Sequence, residues 1–278
     1  TAYGSITMLL TQRLAQFFKQ SQNTLIRNSP EDSQKAQDYW ERIALQTRSP
    51  HQRGRILEII QETPNCISLR FEPADGSKLA YVAGQHITLH CNIKGKAYHR
   101  PYSLSRSPQS GALQITVKSV KDGAVSKHII QHFTAGQVFG FSQVSGDFVL
   151  SETACHRLMI AAGAGITPIR ALIEEALEKH PEQRLQLLYV NPTPQDSIFY
   201  KALLSLQKNH SRLQVDFWFT RSNPDSKSKL DSKSKTSNAP LSGKCTETGL
   251  VHWLDQHNAS QEYHNYQELY LCGPDTFM

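Results

Sequence analysis

The sequence contains no apolar run near the roughly 20 residues that a helix needs to cross a bilayer. Its first residues, "TAYGSITMLLTQRL", also lack the basic leader and the sustained apolar stretch of a secretory signal. These absences predict a cytoplasmic protein without a membrane-spanning helix. The first residue is not methionine, so we expect that further residues precede it.

Cysteine is sparse and unpatterned. The five cysteines are odd in number and scattered, and none forms a C-x-x-C or C-x4-C-x2-C motif. This distribution predicts reduced thiols and no zinc or iron–sulfur site within the chain.

The net charge of +6 comes mainly from one segment. Between Arg221 and Cys245 there are six basic residues against two acidic ones, a net +4. This stretch repeats DSKSK and is rich in serine and lysine, which is typical of a flexible surface insertion. An anionic partner or cofactor tail is the alternative interpretation, but we expect no nucleic acid.

Three regions differ in their apolar pattern. Residues 6 to 25 and the following "SPEDSQKAQDYWERIAL" have helical spacing, with Ser29 as a candidate N-cap, and predict an N-terminal helical arm over 1–50. Its apolar stripe either packs on the next domain or docks on a membrane-associated partner. Short strands separated by Gly, Pro, Asp and Asn then predict an antiparallel Greek-key β-barrel over 51–153.

Strands and helices alternate after residue 155, from "RLMIAAG" to "ELYLCGP". This alternation predicts an α/β domain with a parallel sheet over 154–278, and hence an α+β chain of two domains.

Four short stretches carry candidate chemistry. "HRPYSLS" alternates Arg100 and Tyr102 on one strand face with Pro101 and Ser103 on the other. "GAVS" opens a helix. "GAGITP" places Gly163 and Gly165 between a buried strand and a helix, as pyrophosphate sites do, although a tight turn explains the glycines equally well. "CGP" ends a parallel strand, where open α/β sheets bind ligands, although a lone cysteine is commonly a small buried apolar residue.

These four motifs, in this order, resemble the ferredoxin–NADP reductase superfamily over residues 51 to 278, and most closely its bacterial oxygenase and desaturase reductases. The resemblance implies bound FAD and a nicotinamide nucleotide. Arg100 would neutralise the FAD pyrophosphate, Tyr102 would lie against the flavin ring, and Ser103 would hydrogen-bond near flavin N5. The strand end at Val117 and Lys118 would contact the adenine end. The helix start at Gly123, Val125 and Ser126 would cap the pyrophosphate.

On the nucleotide side, the resemblance assigns a loop and a pocket. Gly163, Gly165, Thr167 and Pro168 resemble the nicotinamide-nucleotide loop. Cys272, Gly273 and Pro274 resemble the pocket beside the nicotinamide, so that Ser103 and Cys272 are the candidate catalytic residues. One departure is Pro192, which stands where many relatives have an arginine.

Thr220 and Arg221 end a predicted parallel strand and resemble the Ser-Arg pair that binds the ribose 2′-phosphate. The absence of an acid there favours NADPH over NADH.

The sequence therefore predicts a monomeric FAD enzyme that takes a hydride from NAD(P)H and passes single electrons to an iron–sulfur acceptor. That acceptor would be a separate protein or a fused two-iron two-sulfur ferredoxin domain after Met278, and would serve an oxygenase or a membrane-associated desaturase at the inner face of the membrane. The alternatives are a reductase of free flavin or small acceptors, and a flavin-binding module without NAD(P)H turnover.

Overall fold

The computed structural model of the protein describes residues 25–28, 52–152, 156–221, 240–259 and 266–274. The described residues divide into two units. One contains residues 52–152 together with 164–181. The other contains residues 156–163, 182–221, 240–259 and 266–274, together with the strand residues 25–27.

The first unit is an antiparallel sheet with two helices. Its strands are β2 (Gln52–Thr63), β3 (Cys66–Pro73), β4 (His86–Ile93), β5 (Lys96–Ser103), β6 (Leu113–Lys118) and β7 (Val138–Phe141). Their spatial order is β5-β4-β7-β2-β3-β6, and a bridge between Leu104 and Ile115 joins the two ends of the sheet. The sheet therefore closes on itself as the predicted barrel does, and its interior is apolar, with Leu69, Ile87 and Phe141 fully buried.

The helices of this unit are α1 (Ala124–His132) and α2 (Ile166–Lys179). Helix α1 confirms the helix predicted at "GAVSKHIIQHF", and its buried residues are Val125, Ser126 and Ile129. Helix α2 follows "GAG" in the chain, yet its residues are grouped with the antiparallel sheet.

The second unit is a largely parallel sheet. Its strands are β1 (Leu25–Asn28), β8 (His156–Ala162), β9 (Arg184–Asn191), β10 (Leu213–Phe219), β11 (Leu241–Ser242) and β12 (Glu268–Cys272). The order is β1-β12-β8-β9-β10-β11, and the pairs from β12 to β11 are all parallel. The predicted alternation of strand and helix is confirmed by α3 (Tyr200–Asn209) and α4 (Glu247–Ala259).

Some elements were not anticipated from the sequence. Strands β1, β7 and β11 are only two to four residues long, too short to show a clear apolar period. Leu25–Asn28 form a strand, β1, where the sequence predicted part of a helical arm. The rest of the predicted arm lies outside the described residues, as do residues 222–239 of the Lys/Ser-rich insertion. None of the described helices combines the length and apolarity that crossing a bilayer requires. In the described ranges, no three His, Cys, Asp or Glu side chains group as metal ligands.

Candidate functional site

The predicted flavin strand is β5, and its pairing with β4 fixes which side chains share a face. Arg100 lies opposite Leu89 and Tyr102 opposite Ile87, two residues of the barrel core. Arg100 is itself exposed: its guanidinium donates to the His99 carbonyl at 2.8 Å and its Cζ lies 5.8 Å from the centre of the Tyr98 ring. An exposed guanidinium on a rigid strand is available for a phosphate.

Tyr102 and Ser103 lie on opposite faces of β5. The Tyr102 ring packs against the barrel core, and burial raises the pKa of its phenol, so the ring is neutral. Ser103 is 8% exposed and lies opposite His86 on β4. Pro101, on the face of Ser103, lies opposite Thr88, whose hydroxyl is buried and lacks a hydrogen-bond partner in the described part of the chain.

The end of β6 comes close to the end of β5. The bridge between Leu104 and Ile115 lies two residues after Tyr102 and two residues before Val117. Val117 is fully buried in the barrel core, whereas Lys118 is half-buried at the strand end. The structure thus brings the two predicted FAD-contacting strands together at one junction.

Helix α1 begins directly after a tight turn. The Ser126 hydroxyl accepts from the Val120 N–H at 3.3 Å and donates to the Gly123 carbonyl at 3.3 Å. A Cβ on Gly123 would lie 2.2 Å from Val120 Cγ2 and 2.5 Å from Ser126 Oγ, so only glycine fits. No side chain caps the helix, which leaves its first backbone N–H groups available to an anion.

These features fit FAD. The exposed Arg100, the uncapped start of α1 and the buried Thr88 hydroxyl provide polar contacts for a phosphate and a ring edge. Tyr102 and Ser103 provide the flat and polar surfaces predicted for the flavin. The strand and the helix start indicated by the sequence are present, and their contacts with FAD stay a prediction. Thr88 was not singled out, because a single threonine in a strand carries no signal.

The "GAG" turn between β8 and α2 is a short 3-10 turn over Gly163–Gly165. Gly163 has φ of +54°, a conformation that favours glycine, and its carbonyl accepts from the Tyr189 hydroxyl at 2.9 Å. Gly165, by contrast, has right-handed helical geometry. The Thr167 hydroxyl donates to the Ala164 carbonyl at 3.0 Å, and Pro168 is buried in the first turn of α2.

The carboxyl ends of four parallel strands form the other part of the candidate nucleotide site. Cys272 pairs with Ala161 on β8, and Asn191 on β9 pairs with Phe219 on β10, so these strands end side by side. Cys272 and Gly273 are buried, whereas Pro274 is exposed. Ligands of open α/β sheets bind at such an edge.

The predicted 2′-phosphate pair continues this edge. The Thr220 N–H donates to the Asn191 carbonyl at 2.8 Å, and the Arg221 N–H donates to the Pro192 carbonyl at 2.9 Å. The Arg221 backbone is therefore adjacent to Pro192. Its side chain is exposed, and Thr220 is half-buried.

Asn191 is a residue of this edge that the sequence interpretation missed. It is 2% exposed, and among the described residues neither its amide oxygen nor its amide nitrogen has a hydrogen-bond partner. A buried unsatisfied amide costs roughly 1–3 kcal/mol and calls for a ligand or water. This observation fits a nicotinamide nucleotide at the edge. The signal available in the sequence was a polar residue ending the apolar run "RLQLLYVN".

Comparison with known proteins supports a flavin-binding domain in the first part of the chain and a nucleotide-binding domain in the second. The oxidoreductase FAD-binding domain family matches residues 54–149, and the oxidoreductase NAD-binding domain family matches residues 159–278. One component of the 1,2-phenylacetyl-CoA epoxidase from Escherichia coli is 31% identical over 62% of this chain and 50% of its own length. The ferredoxin reductase component of 3-ketosteroid-9-alpha-monooxygenase from Mycobacterium tuberculosis is 35% identical over 59% of this chain and 49% of its own length.

A solved structure shows the same fold. The ferredoxin NADP+ reductase from Neisseria gonorrhoeae superposes with a TM-score of 0.63 at 18% identity, covering 82% of this chain and 89% of that one. The chain spans about half the length of the two curated relatives. It belongs to the FAD- and NAD-binding oxidoreductases with the two-domain ferredoxin–NADP reductase fold.

Proposed function

We propose that this protein oxidises NADPH and passes single electrons to an iron–sulfur acceptor that serves an oxygenase or a desaturase. When bound, FAD would supply the conversion of a two-electron hydride into single electrons. The observation that supports the proposal is that one chain contains both β5, with an exposed Arg100 and a buried Ser103, and a parallel sheet in which β8, β9, β10 and β12 end side by side.

The chain's own residues then have defined tasks. Arg100 and the start of α1 bind the FAD pyrophosphate, Tyr102 supports the ring, and Ser103 donates a hydrogen bond near N5. At the sheet edge, Gly163 allows close approach of the nucleotide, and Cys272 with Gly273 forms the wall beside the nicotinamide. Binding both cofactors in fixed orientations and excluding water is the contribution that such a protein makes to hydride transfer.

The choice of NADPH rests on Arg221. It is an exposed cation at the end of β10, tied through its backbone to Pro192, and the neighbouring Thr220 adds a hydroxyl. A cation at this place favours a 2′-phosphate.

The proposed acceptor follows from the relatives. One of them is named as the ferredoxin reductase component of a monooxygenase and another as a component of an epoxidase. Either a separate ferredoxin or a fused ferredoxin domain would satisfy the proposal, in a monomer located in the cytoplasm. A desaturase acceptor would bring the protein to the membrane surface.

An anaerobic titration tests the first half of the proposal. Purified protein loaded with FAD is titrated with NADPH and, separately, with NADH while the visible flavin spectrum is followed. Stoichiometric bleaching, reached faster with NADPH, is the expected result. A bound flavin that stays oxidised with both nucleotides would leave a flavin-binding module without turnover.

A coupled assay tests the acceptor. Cytochrome c reduction by NADPH is measured with and without a plant-type two-iron two-sulfur ferredoxin, with free FMN as the competing acceptor. We expect a strong dependence on ferredoxin. Rapid reduction of free FMN with no ferredoxin dependence would instead identify a free-flavin reductase.

A further inference from the structure

The Glu174 carboxylate on α2 forms hydrogen bonds with the segment that follows β5. One oxygen, Oε2, accepts from the backbone N–H of Ser107 at 3.0 Å and from Arg106 Nε at 3.0 Å. The other, Oε1, accepts from Arg170 Nε at 3.1 Å. Both oxygens are therefore occupied, and because only 11% of the Glu174 side chain is exposed, solvent screens these contacts weakly.

Glu175, the next residue of the helix, contacts the segment that leads into β4. Glu175 Oε2 accepts from the Ala83 N–H at 2.7 Å, and Lys179 contacts its other oxygen. Between Ala83 and β4 lies Gly84, with φ of +89°. A Cβ there would lie 1.8 Å from the Phe148 carbonyl oxygen and 3.0 Å from Leu172 Cδ2. The Phe148 carbonyl thus leaves room only for glycine at this position, and the Leu172 side chain of α2 lies directly beside it.

The segment from Ser103 to Ser107 connects the residue that Glu174 contacts to the end of β5. The Leu104 N–H donates to the Gln85 carbonyl at 2.8 Å, and the Ser105 N–H donates to the Gln114 carbonyl at 2.8 Å. The Arg106 carbonyl accepts from the Tyr81 hydroxyl at 3.1 Å. The backbone of each residue from Leu104 to Arg106 therefore makes a hydrogen bond with another part of the chain. These bonds leave the end of β5 little freedom to shift.

The same helix begins at the predicted pyrophosphate turn. Its first residue, Ile166, follows Gly165 directly, and Glu174 lies eight residues later, about 12 Å along the axis at 1.5 Å per residue. A helix of this length is stiff, so the carboxylate pair fixes the start of α2 relative to Ser103.

We propose that Glu174, supported by Glu175, is a positioning residue for hydride transfer. It holds the helix that begins at the nucleotide turn in a fixed relation to the strand that carries Ser103. The inference rests on the proposed function and deepens it, since it assigns the placement of the α2 start relative to Ser103 to side chains outside the candidate cofactor residues. Misplacement of about 1 Å can cost roughly 100-fold in rate, so a small shift is sufficient to matter.

The test compares Glu174→Gln and Glu174→Ala with Glu178→Gln, an exposed position on the same helix that removes the same charge. Flavin reduction is followed by anaerobic stopped flow over a range of NADPH concentrations. We expect Glu174→Ala to lower the limiting reduction rate roughly 10- to 100-fold while the apparent Kd for NADPH changes less than about threefold. Glu174→Gln, which retains an acceptor for Ser107 N–H, should fall between Glu174→Ala and the wild type.

A second readout does not depend on activity. Backbone hydrogen exchange of the flavin-free protein is measured over residues 103–107 and 166–170. Loss of the Glu174 carboxylate should accelerate exchange at Ser107, and Glu178→Gln should leave it unchanged. If Glu174→Ala does not fold, Glu174→Gln provides both measurements.

The outcomes separate the two proposals. Flavin reduction within twofold of wild type in the folded, FAD-loaded Glu174→Ala protein, or in Glu174→Gln if Glu174→Ala does not fold, overturns the positioning role and leaves the proposed function intact. The positioning role is also overturned if the variants raise the apparent Kd for NADPH and leave the limiting rate of flavin reduction unchanged. A wild-type flavin that neither nucleotide reduces overturns both.

Discussion

The two sheets bury their polar groups in different ways. In the antiparallel sheet, the uncharged side chains of Ser68, Ser105, Gln114 and Thr116 form a neutral cluster with mutual hydrogen bonds of 2.8 to 3.2 Å, and Ser68 also donates to the half-buried Glu62 at 2.6 Å. In the parallel sheet, the buried polar groups include ions. Arg157 and Glu268 are 0% and 2% exposed and meet at 2.7 Å, and Glu268 also accepts from Tyr270 at 2.8 Å.

The positions of these clusters differ as well. The neutral cluster includes Ser105, two residues after Ser103, so it supports the candidate flavin site directly. The ion pair joins the first residue of β12 to β8, whereas Cys272 ends β12 at the opposite edge of the sheet. In the parallel sheet, this buried ion pair thus lies away from the candidate site. In the antiparallel sheet, the neutral cluster lies beside Ser103, a candidate site residue.

The largest expected effect comes from breaking the buried ion pair. Glu268→Gln leaves the Arg157 guanidinium buried without its counter-charge and should lower the free energy of unfolding by about 3–5 kcal/mol. Urea denaturation followed by tryptophan fluorescence measures this, since Trp218 and Trp253 lie in the core of the same unit. The matched control is Glu58→Gln, which removes the same charge from the exposed pair with Arg70 and should cost at most about 1 kcal/mol. Equal losses in the two variants would contradict the prediction.

The next effect concerns pH and the antiparallel unit. His86 is 6% exposed and its ring contacts Ser145 Oγ at 3.0 Å; burial lowers its pKa to about 4, although the nearby Asp147 opposes this. In the unfolded chain, the His86 ring binds a proton once the pH falls below its ordinary pKa of about 6.5. In the folded protein, the ring binds that proton only when the pH falls to about 4. The contribution of His86 to the free energy of unfolding is therefore fully present above pH 6.5. This contribution decreases by about 3 kcal/mol as the pH falls towards 4.

His86→Gln tests this dependence. Thermal and urea unfolding are measured from pH 7 to pH 4 for the wild type, for His86→Gln and for His252→Gln, an exposed histidine of the other unit. The stability difference between wild type and His86→Gln should change steadily below pH 6.5, whereas His252→Gln should follow the wild type. A wild-type pH profile that His86→Gln leaves unaltered would assign the acid sensitivity to other groups.

Arg221→Ala tests whether the parallel unit separates function from stability. Because Arg221 is exposed at the carboxyl edge, its loss should raise the KM for NADPH about tenfold and leave the KM for NADH and the unfolding midpoint nearly unchanged. Steady-state reduction with both nucleotides measures the effect. Lys201→Ala, which removes an exposed charge from α3, is the control. Equal increases in both KM values would show that Arg221 does not recognise the 2′-phosphate.

The smallest expected effect comes from the neutral cluster. Ser105→Ala removes hydrogen bonds to Thr116 and Gln114, but Gln114 retains Ser68 as an acceptor at 3.2 Å. The loss should be about 1 kcal/mol, well below that of Glu268→Gln. Urea unfolding checks it, and a loss as large as that of Glu268→Gln would remove the contrast between the two units.

Much of the fold could be predicted because its signals are local. Alternating apolar residues indicated β2 to β6, and the change to strand–helix alternation indicated the parallel sheet. Short strands such as β7 were not predicted, because four residues do not establish an apolar period. These strands are stabilised by pairing with strands that are distant in the sequence. The candidate cofactor residues were found through short motifs. Thr88 and Asn191 were missed because burial without a partner is not visible in a sequence.

Local sequence patterns were sufficient to indicate the antiparallel and parallel sheets, strand β5 with its arginine and serine, the glycine at the turn before α2 and the cation after β10, since each depends on residue types at local positions. Tertiary structure alone decided that His86 lies opposite Ser103, that Arg157 meets Glu268 across 111 residues, and that Glu174 receives the Ser107 N–H across 67. These contacts join residues far apart in the chain. Their formation depends on strand register and on the packing of α2, which no local pattern encodes.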